Sequence, residues 1–95
     1  MLEIKQNGSV LQFCGELNCH TVVAHWPFKM LSTLPKQAAF DLSGLKHVDT
    51  AGLAWLIQQL ASARQLGISL TFQQMPQQLL SLASVSDVLA LLPTD

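Results

Sequence analysis

The chain has 95 residues, of which 49% are apolar and only 12% are charged, and its formal net charge is −1. This length is enough for one hydrophobic core, so we expect residues 1–95 to form a single domain. The small net charge and the lack of any Lys/Arg run exclude a nucleic-acid-binding protein and argue against direct attachment to anionic lipid.

The N-terminal segment and the apolar stretches bear on where the protein acts. Residues 1–6 lack a basic region followed by an apolar one, so they do not form a signal peptide. Residues 79–92 are the longest apolar candidate for a membrane span, and Ser81, Ser84 and Asp87 interrupt them. We therefore expect a cytoplasmic protein.

The low charged fraction predicts a surface with few charged side chains. A typical domain carries about a quarter charged residues, so this surface must be completed by Gln, Ser, Thr and apolar side chains. That composition fits a domain whose surface is partly covered by a partner. It fits equally a compact domain with an uncharged polar surface.

The residues that could support catalysis or metal binding are few. Cys14, Cys19, His20 and His25 match no zinc-ligand spacing, so we expect free thiols and no metal. The sequence also has no Gly-rich phosphate loop, no paired carboxylates, no Ser/His/Asp grouping and no tyrosine. We therefore predict a protein that is not an enzyme and that binds no cofactor.

The first predicted elements form a β-hairpin. The stretches from Leu2 to Gln6 and from Val10 to Cys14 are typical of two short strands, and Asn7-Gly8 between them is a strong turn signal. The segment Gly15-Glu16-Leu17-Asn18 then ends the second strand.

The stretch from Thr21 to Leu34 has the apolar period of a helix. Its two apolar stripes are Val22, Trp26, Met30 and Leu34 on one side and Ala24, Phe28 and Leu31 on the other. Pro27 is unfavourable in a helix interior, so the helix either kinks there or, as we favour, begins near Ala24 with Pro27 in its first turn. One stripe would face the core, and water would contact the other unless a partner covers it.

Strands and helices alternate in the rest of the chain. The predicted elements are a buried strand from Ala38 to Leu42 ended by a Ser43-Gly44 turn, a helix from Thr50 to about Leu66 stopped by Gly67, a strand from Ile68 to Phe72, a helix from Gln77 to about Ala83 opened by Pro76, and a short helix from Val85 to Leu92. This order predicts an α/β domain with a mixed sheet of about four to five strands and helices packed chiefly on one face.

The most informative segment begins the second predicted helix. Asp49 or Thr50 is expected to cap this helix, because either side chain can accept from its free backbone N–H groups. Gly52 lets another backbone approach closely. The Thr50 hydroxyl then lies at the positive end of the helix dipole, where it can hydrogen-bond a partner or carry a phosphate.

Two motifs resemble the STAS domain family. Asp41-Leu42-Ser43-Gly44, followed by Val48-Asp49-Thr50-Ala51-Gly52-Leu53, is similar to the signature of that family. Gly15-Glu16-Leu17-Asn18 resembles the Gly-Glu-Leu-Asp that follows an early strand there. The order of elements also agrees, so the resemblance covers essentially the whole chain and implies a small STAS-type α/β domain.

The residues at positions 50 and 51 separate two groups within this family. Anti-sigma factor antagonists usually have Asp-Ser-Ser-Gly, and a partner kinase phosphorylates the first Ser; Thr50 stands at that position here. A Thr followed by a small apolar residue such as Ala51 is more similar to the stand-alone STAS subunit of bacterial ABC transporters. Those complexes move phospholipid between the inner and outer membranes.

The resemblance therefore implies a non-catalytic accessory subunit of such a complex, which maintains outer-membrane lipid asymmetry. This subunit would bind and support the cytoplasmic ATPase at the inner-membrane face and meet the membrane only through the complex. The alternative is an anti-sigma factor antagonist that binds an anti-sigma factor kinase and is switched by phosphorylation at Thr50.

In both cases we expect the partner-binding residues to include Asp49, Thr50, Ala51 and Gly52. Trp26 joins them as an interface candidate, because tryptophan is enriched at binding hot spots. A core position for Trp26 agrees equally well with the high average burial of this residue type.

Overall fold

The computed structural model describes residues 1–88 and Leu92. Its elements, in chain order, are β1 (Leu2–Asn7), β2 (Val10–Leu17), two short 3-10 helices (Val22–His25 and Lys29–Thr33), β3 (Gln37–Val48), α1 (Thr50–Gln65), β4 (Ser69–Gln73) and α2 (Gln77–Val85). The predicted helix from Val85 to Leu92 does not begin as expected, because Val85 ends α2, Ser86 is its C-cap and Asp87 has φ +60°. Residues 89–91 of that range lie outside the described residues. Within the described ranges, no helix has the length and apolar character needed to cross a membrane.

The four strands form one mixed sheet in the order β1-β2-β3-β4. β1 and β2 are antiparallel and form the predicted hairpin, whereas β3 runs parallel to both β2 and β4. The hairpin turn contains Gly8 with φ +63°, a left-handed conformation that glycine adopts without steric cost. The predicted mixed α/β sheet is therefore confirmed.

The helices cover one face of this sheet, as predicted. Alternation along β2 buries Leu11 and Phe13 and exposes Gln12 and Cys14. The buried apolar side chains of neighbouring strands lie side by side, because Leu11 is in register with Phe40, and Phe40 is in register with Phe72. The hydrophobic core lies between this face and the helices.

The predicted helix from Thr21 to Leu34 is wrong. Proline cannot donate the backbone hydrogen bond of a helix interior and disfavours a helical residue before it. Accordingly, Trp26 is extended with φ −124° and ψ 113°, and the chain divides into two 3-10 helices around it. Phe28, Leu31 and Leu34 are buried, and their spacing of three residues is the period of a 3-10 helix rather than an α-helix.

The predicted turn at Ser43-Gly44 is also wrong, because β3 continues through it to Val48. The register between β2 and β3 shifts between Gln12 and Cys14, so that β3 has an extra residue there, as in a β-bulge. Gly44 fits this crowded place, since a Cβ on it would lie 2.6 Å from the Phe13 carbonyl oxygen. Ser and Gly therefore mark a bulge in a long strand and not its end.

The two tryptophans lie in opposite environments. Trp55 on α1 is only 4% exposed, whereas Trp26 is 59% exposed. The indole N–H of Trp55 donates to the His25 carbonyl oxygen at 3.3 Å, and its ring packs edge-to-face on Phe28 with centroids 5.0 Å apart. Trp55, whose burial was not predicted from the sequence, thus packs the segment of the two 3-10 helices against α1.

We expect Trp55→Phe to lower the free energy of unfolding by about 1–3 kcal/mol, because it removes the bond to His25 and leaves a cavity. Trp26→Phe is the matched control and should change the free energy by less than about 0.5 kcal/mol. Urea unfolding followed by far-UV circular dichroism measures both values. Equal effects of the two substitutions would contradict this assignment of the core tryptophan.

Candidate partner-binding site

The loop between β3 and α1 is organised by Asp49. Its Oδ1 accepts the Gly52 N–H at 2.8 Å, which caps the first turn of α1. Its Oδ2 accepts the Cys19 N–H at 3.3 Å, so the same carboxylate binds the segment that follows β2. Of the two predicted cap residues, Asp49 is therefore the cap, and Thr50 is left as the first residue of the helix.

Backbone and amide groups fix the same loop from two other sides. The Asp49 N–H donates to the Leu17 carbonyl oxygen at 3.2 Å. The Val48 N–H donates to Oε1 of Gln78 on α2 at 2.9 Å. The role of Gln78 had no signal in the sequence, because it depends on how α2 packs against the end of β3.

Gly52 is the point where α1 meets β2. It is buried, and a Cβ at this position would collide with the Leu17 carbonyl oxygen and approach the Leu17 side chain. The close backbone approach predicted for Gly52 is confirmed, and the approaching backbone belongs to the chain itself. Gly52 thus offers little surface and acts by positioning its neighbours.

Thr50 is the exposed member of the motif. It is solvent-exposed at the start of α1, whereas Asp49 and Ala51 are half-buried. The first turn of a helix has free N–H groups and the positive end of the dipole. The structure therefore presents the Thr50 hydroxyl at a position that suits a hydrogen bond from or to another molecule.

An uncharged stripe continues from Thr50 along α1. The exposed residues Ala54, Gln58, Ala61 and Gln65 recur every three or four positions and so lie on one side of the helix. Arg64 is the only charged residue within α1; it is exposed and lies beside the stripe, three residues after Ala61.

Trp26 lies beside the C-terminal half of α1. It lines a groove of about 230 Å³, with Phe28 and Leu31 on its own side and Gln58 and Leu66 on the other. Leu66 is 54% exposed, so two large apolar side chains border this groove. Trp26 is therefore outside the core, and its place in an interface stays a prediction.

The structure does not bring Trp26 into contact with the motif at positions 49–52. Thr50 and Gln58 are eight residues apart on α1, or about 12 Å along the helix axis. The uncharged stripe joins the two regions into one elongated surface. We name the surface formed by Thr50, Ala54, Gln58, Leu66 and Trp26 the α1 surface.

The α1 surface has the chemistry of a protein contact. Small side chains permit close approach, Trp26 and Leu66 present apolar area, and Thr50 and Gln58 carry polar groups. Within residues 1–88 and Leu92, no three His, Cys, Asp or Glu side chains lie close enough together to hold a metal. Cys14 and Cys19 are exposed free thiols.

Comparison with known proteins defines the class to which this fold and site belong. The sequence profile of the family described as "Mlab, STAS domain" matches residues 2–93. The chain therefore belongs to the STAS domain family, as its motifs indicated.

A particular relative and a solved structure are also similar. The "Intermembrane phospholipid transport system binding protein MlaB" of Haemophilus influenzae is 34% identical over 87 residues, covering 85% of this chain and 83% of that protein. The fold also matches the anti-sigma factor antagonist SpoIIAA in its unphosphorylated form, with a TM-score of 0.71 and 12% identity, over 100% of this chain and 88% of that one. At this identity the second likeness shows the fold alone.

The double role of Asp49 can be tested. Asp49→Ala should lower the free energy of unfolding by about 1–2 kcal/mol, because it removes the helix cap. Asp49→Asn should lose less, since Asn caps helices as well as Asp does. Its amide nitrogen, however, cannot accept the Cys19 N–H.

Hydrogen exchange separates the two contacts of this carboxylate. In Asp49→Asn, we expect the Gly52 amide to keep its protection and the Cys19 amide to lose it. An Asp49→Ala variant as stable as the wild type would contradict the capping role.

Proposed function

We propose that this protein is a non-catalytic STAS subunit that binds and supports the ATPase of a phospholipid-transporting ABC complex. The observation that carries this proposal is the α1 surface, an exposed and uncharged helix side with Thr50 at one end and Trp26 at the other. In this proposal the protein works at the cytoplasmic face of the inner membrane and reaches the membrane only through the complex.

The relative from Haemophilus influenzae supports the transport role. That relative is named as a binding protein of an intermembrane phospholipid transport system, and the similarity spans most of both chains. The matching family description carries the same name, Mlab. Both agree with the resemblance of Asp49-Thr50-Ala51-Gly52 to the STAS subunits of such transporters.

The physical properties of the α1 surface support a protein partner. Exposed helix sides usually carry charged residues, whose desolvation opposes burial. Here an interface would desolvate Ala54, Gln58 and Ala61 at little cost, and Trp26 and Leu66 would contribute apolar burial. A partner that binds only the folded chain would also stabilise it by mass action.

The fixed position of Thr50 supports specific recognition of a protein partner. Asp49 and Gly52 hold the first turn of α1 against the end of β2, so Thr50 needs little ordering when a partner binds. Preorganised groups lose less entropy in a complex, which raises affinity without new contacts. Thr50 is thus suited to a specific polar contact at its end of the α1 surface.

We expect Thr50→Glu and Trp26→Ala each to weaken binding to the transporter ATPase at least about tenfold, because one inserts an unpaired charge and the other removes an apolar anchor. Thr50→Glu should leave the free energy of unfolding equal or raise it by about 0.3–1 kcal/mol, since an acidic residue in the first turn favours the helix dipole. Co-expression with the ATPase followed by co-purification measures complex formation, and titration of the purified subunits gives the affinity.

Two matched variants control for charge and for lost apolar area. Ser81→Glu adds the same charge at an exposed position of α2, and Val85→Ala removes an exposed apolar side chain. Both controls should bind the ATPase as the wild type does. If Thr50→Glu and Trp26→Ala also bind normally, the α1 surface is not the interface.

The second candidate is an anti-sigma factor antagonist switched by phosphorylation, and the exposure of the Thr50 hydroxyl is what favours it. A phosphate there would meet the free N–H groups of a 16-residue helix. Incubation with the anti-sigma factor kinase and ATP, followed by mass spectrometry, tests this candidate. If Thr50 carries no phosphate after incubation with the kinase and ATP, the anti-sigma factor antagonist function is excluded.

A further inference from the structure

The edge of the sheet formed by β1 presents unpaired backbone groups in a defined pattern. The Glu16 N–H donates to the Met1 carbonyl oxygen at 2.9 Å, so these two residues form a hydrogen-bonded pair across the hairpin. Hydrogen-bonded and non-hydrogen-bonded pairs alternate along antiparallel strands. Leu2, Ile4 and Gln6 therefore direct their N–H and C=O groups away from β2, toward the free edge.

The charged side chains of this strand lack ion-pair partners within the chain. In the part of the chain that the structure describes, the ion pair near this edge joins the N-terminal ammonium to Glu16, and neither Glu3 nor Lys5 makes one. Both are exposed and lie on the sheet face that the helices leave open, in register with Cys14 and Gln12. An edge strand with free backbone groups is a template for another strand.

We propose that β1 pairs antiparallel with β1 of a second copy of this chain, about a two-fold axis at Ile4. In this register Glu3 stands directly opposite the second copy's Lys5, and symmetry repeats the same ion pair. Leu2 stands opposite the second copy's Gln6. The two four-stranded sheets then join into one continuous sheet.

The number of backbone hydrogen bonds and the charges of Glu3 and Lys5 together select this register. The two Ile4 residues exchange both N–H···O=C bonds across the axis, and each Leu2 exchanges two with the opposite Gln6, which gives about six bonds. Glu3 and Lys5 then form the non-hydrogen-bonded pairs, in which opposing side chains approach most closely. A register centred on Glu3 or on Lys5 would also pair outward-facing backbone groups, but it would form only about four bonds and would place like charges directly opposite each other.

The side chains on the other face of β1 also fit this arrangement. Leu2 and Ile4 are only half-buried at the margin of the core. The second copy's Ile4 would pack against Ile4 and cover apolar surface that is now exposed. Because β1 shares no residue with the α1 surface, this pairing is independent of the proposed function.

Sedimentation velocity of the wild-type chain over a concentration series tests self-association. A single short strand pair buries little area, so we expect a dissociation constant on the order of 0.1 mM. Glu3→Lys and Lys5→Glu should each weaken dimerisation about tenfold, because each places like charges opposite one another twice. The exposed Lys36→Glu, which changes the net charge as Lys5→Glu does, should dimerise like the wild type.

Two rescue experiments separate pairing from a structural defect. The double variant Glu3→Lys/Lys5→Glu restores both ion pairs and should dimerise within about twofold of the wild type. An equimolar mixture of the two single variants should form a heterodimer of similar strength, because each Lys then faces a Glu. A wild-type chain that stays monomeric at about 1 mM, or single variants that neither rescue restores, would overturn the proposal.

Discussion

The close contact between Gly52 and the Leu17 carbonyl fixes where α1 begins against the sheet. The absence of a side chain lets the first turn of α1 lie directly on the end of β2. Asp49 secures the same junction by accepting N–H groups from both Gly52 and Cys19. With its first turn held in this position, α1 buries Leu53 and Leu56 in the core and leaves Thr50 exposed to solvent.

The distribution of charge follows from that placement. α1 covers the apolar face of the sheet, and its outer side carries Ala, Gln and Thr with Arg64 as its one charged residue. Charged side chains such as Glu3 and Lys5 lie instead on the sheet. The low charged fraction of the whole chain is therefore also seen on the α1 surface, and its burial in an interface would desolvate no charged side chain.

Short-range signals in the sequence predicted much of the fold. Asn7-Gly8 predicted the hairpin turn, and Gly67 predicted the end of α1, where it has φ +75°. These signals work because a positive φ is a local property of the backbone that glycine satisfies best. The same kind of evidence failed at Ser43-Gly44, because a residue pair common in turns also fits a bulge, and only the pairing with β2 distinguishes the two.

The sequence alone was enough to predict the order of the four strands, the helices α1 and α2, the STAS family and the motif at positions 49–52, since these depend on local conformation and on residue identity. Tertiary structure decided the exposure of each residue, because burial depends on which distant segment packs against it. Trp55 entered the core through its contact with Phe28, while Trp26, beside Pro27, remained outside on the groove next to α1. The different roles within the motif were decided in the same way: Asp49 and Gly52 contact β2 and the loop after it, and Thr50 is left exposed.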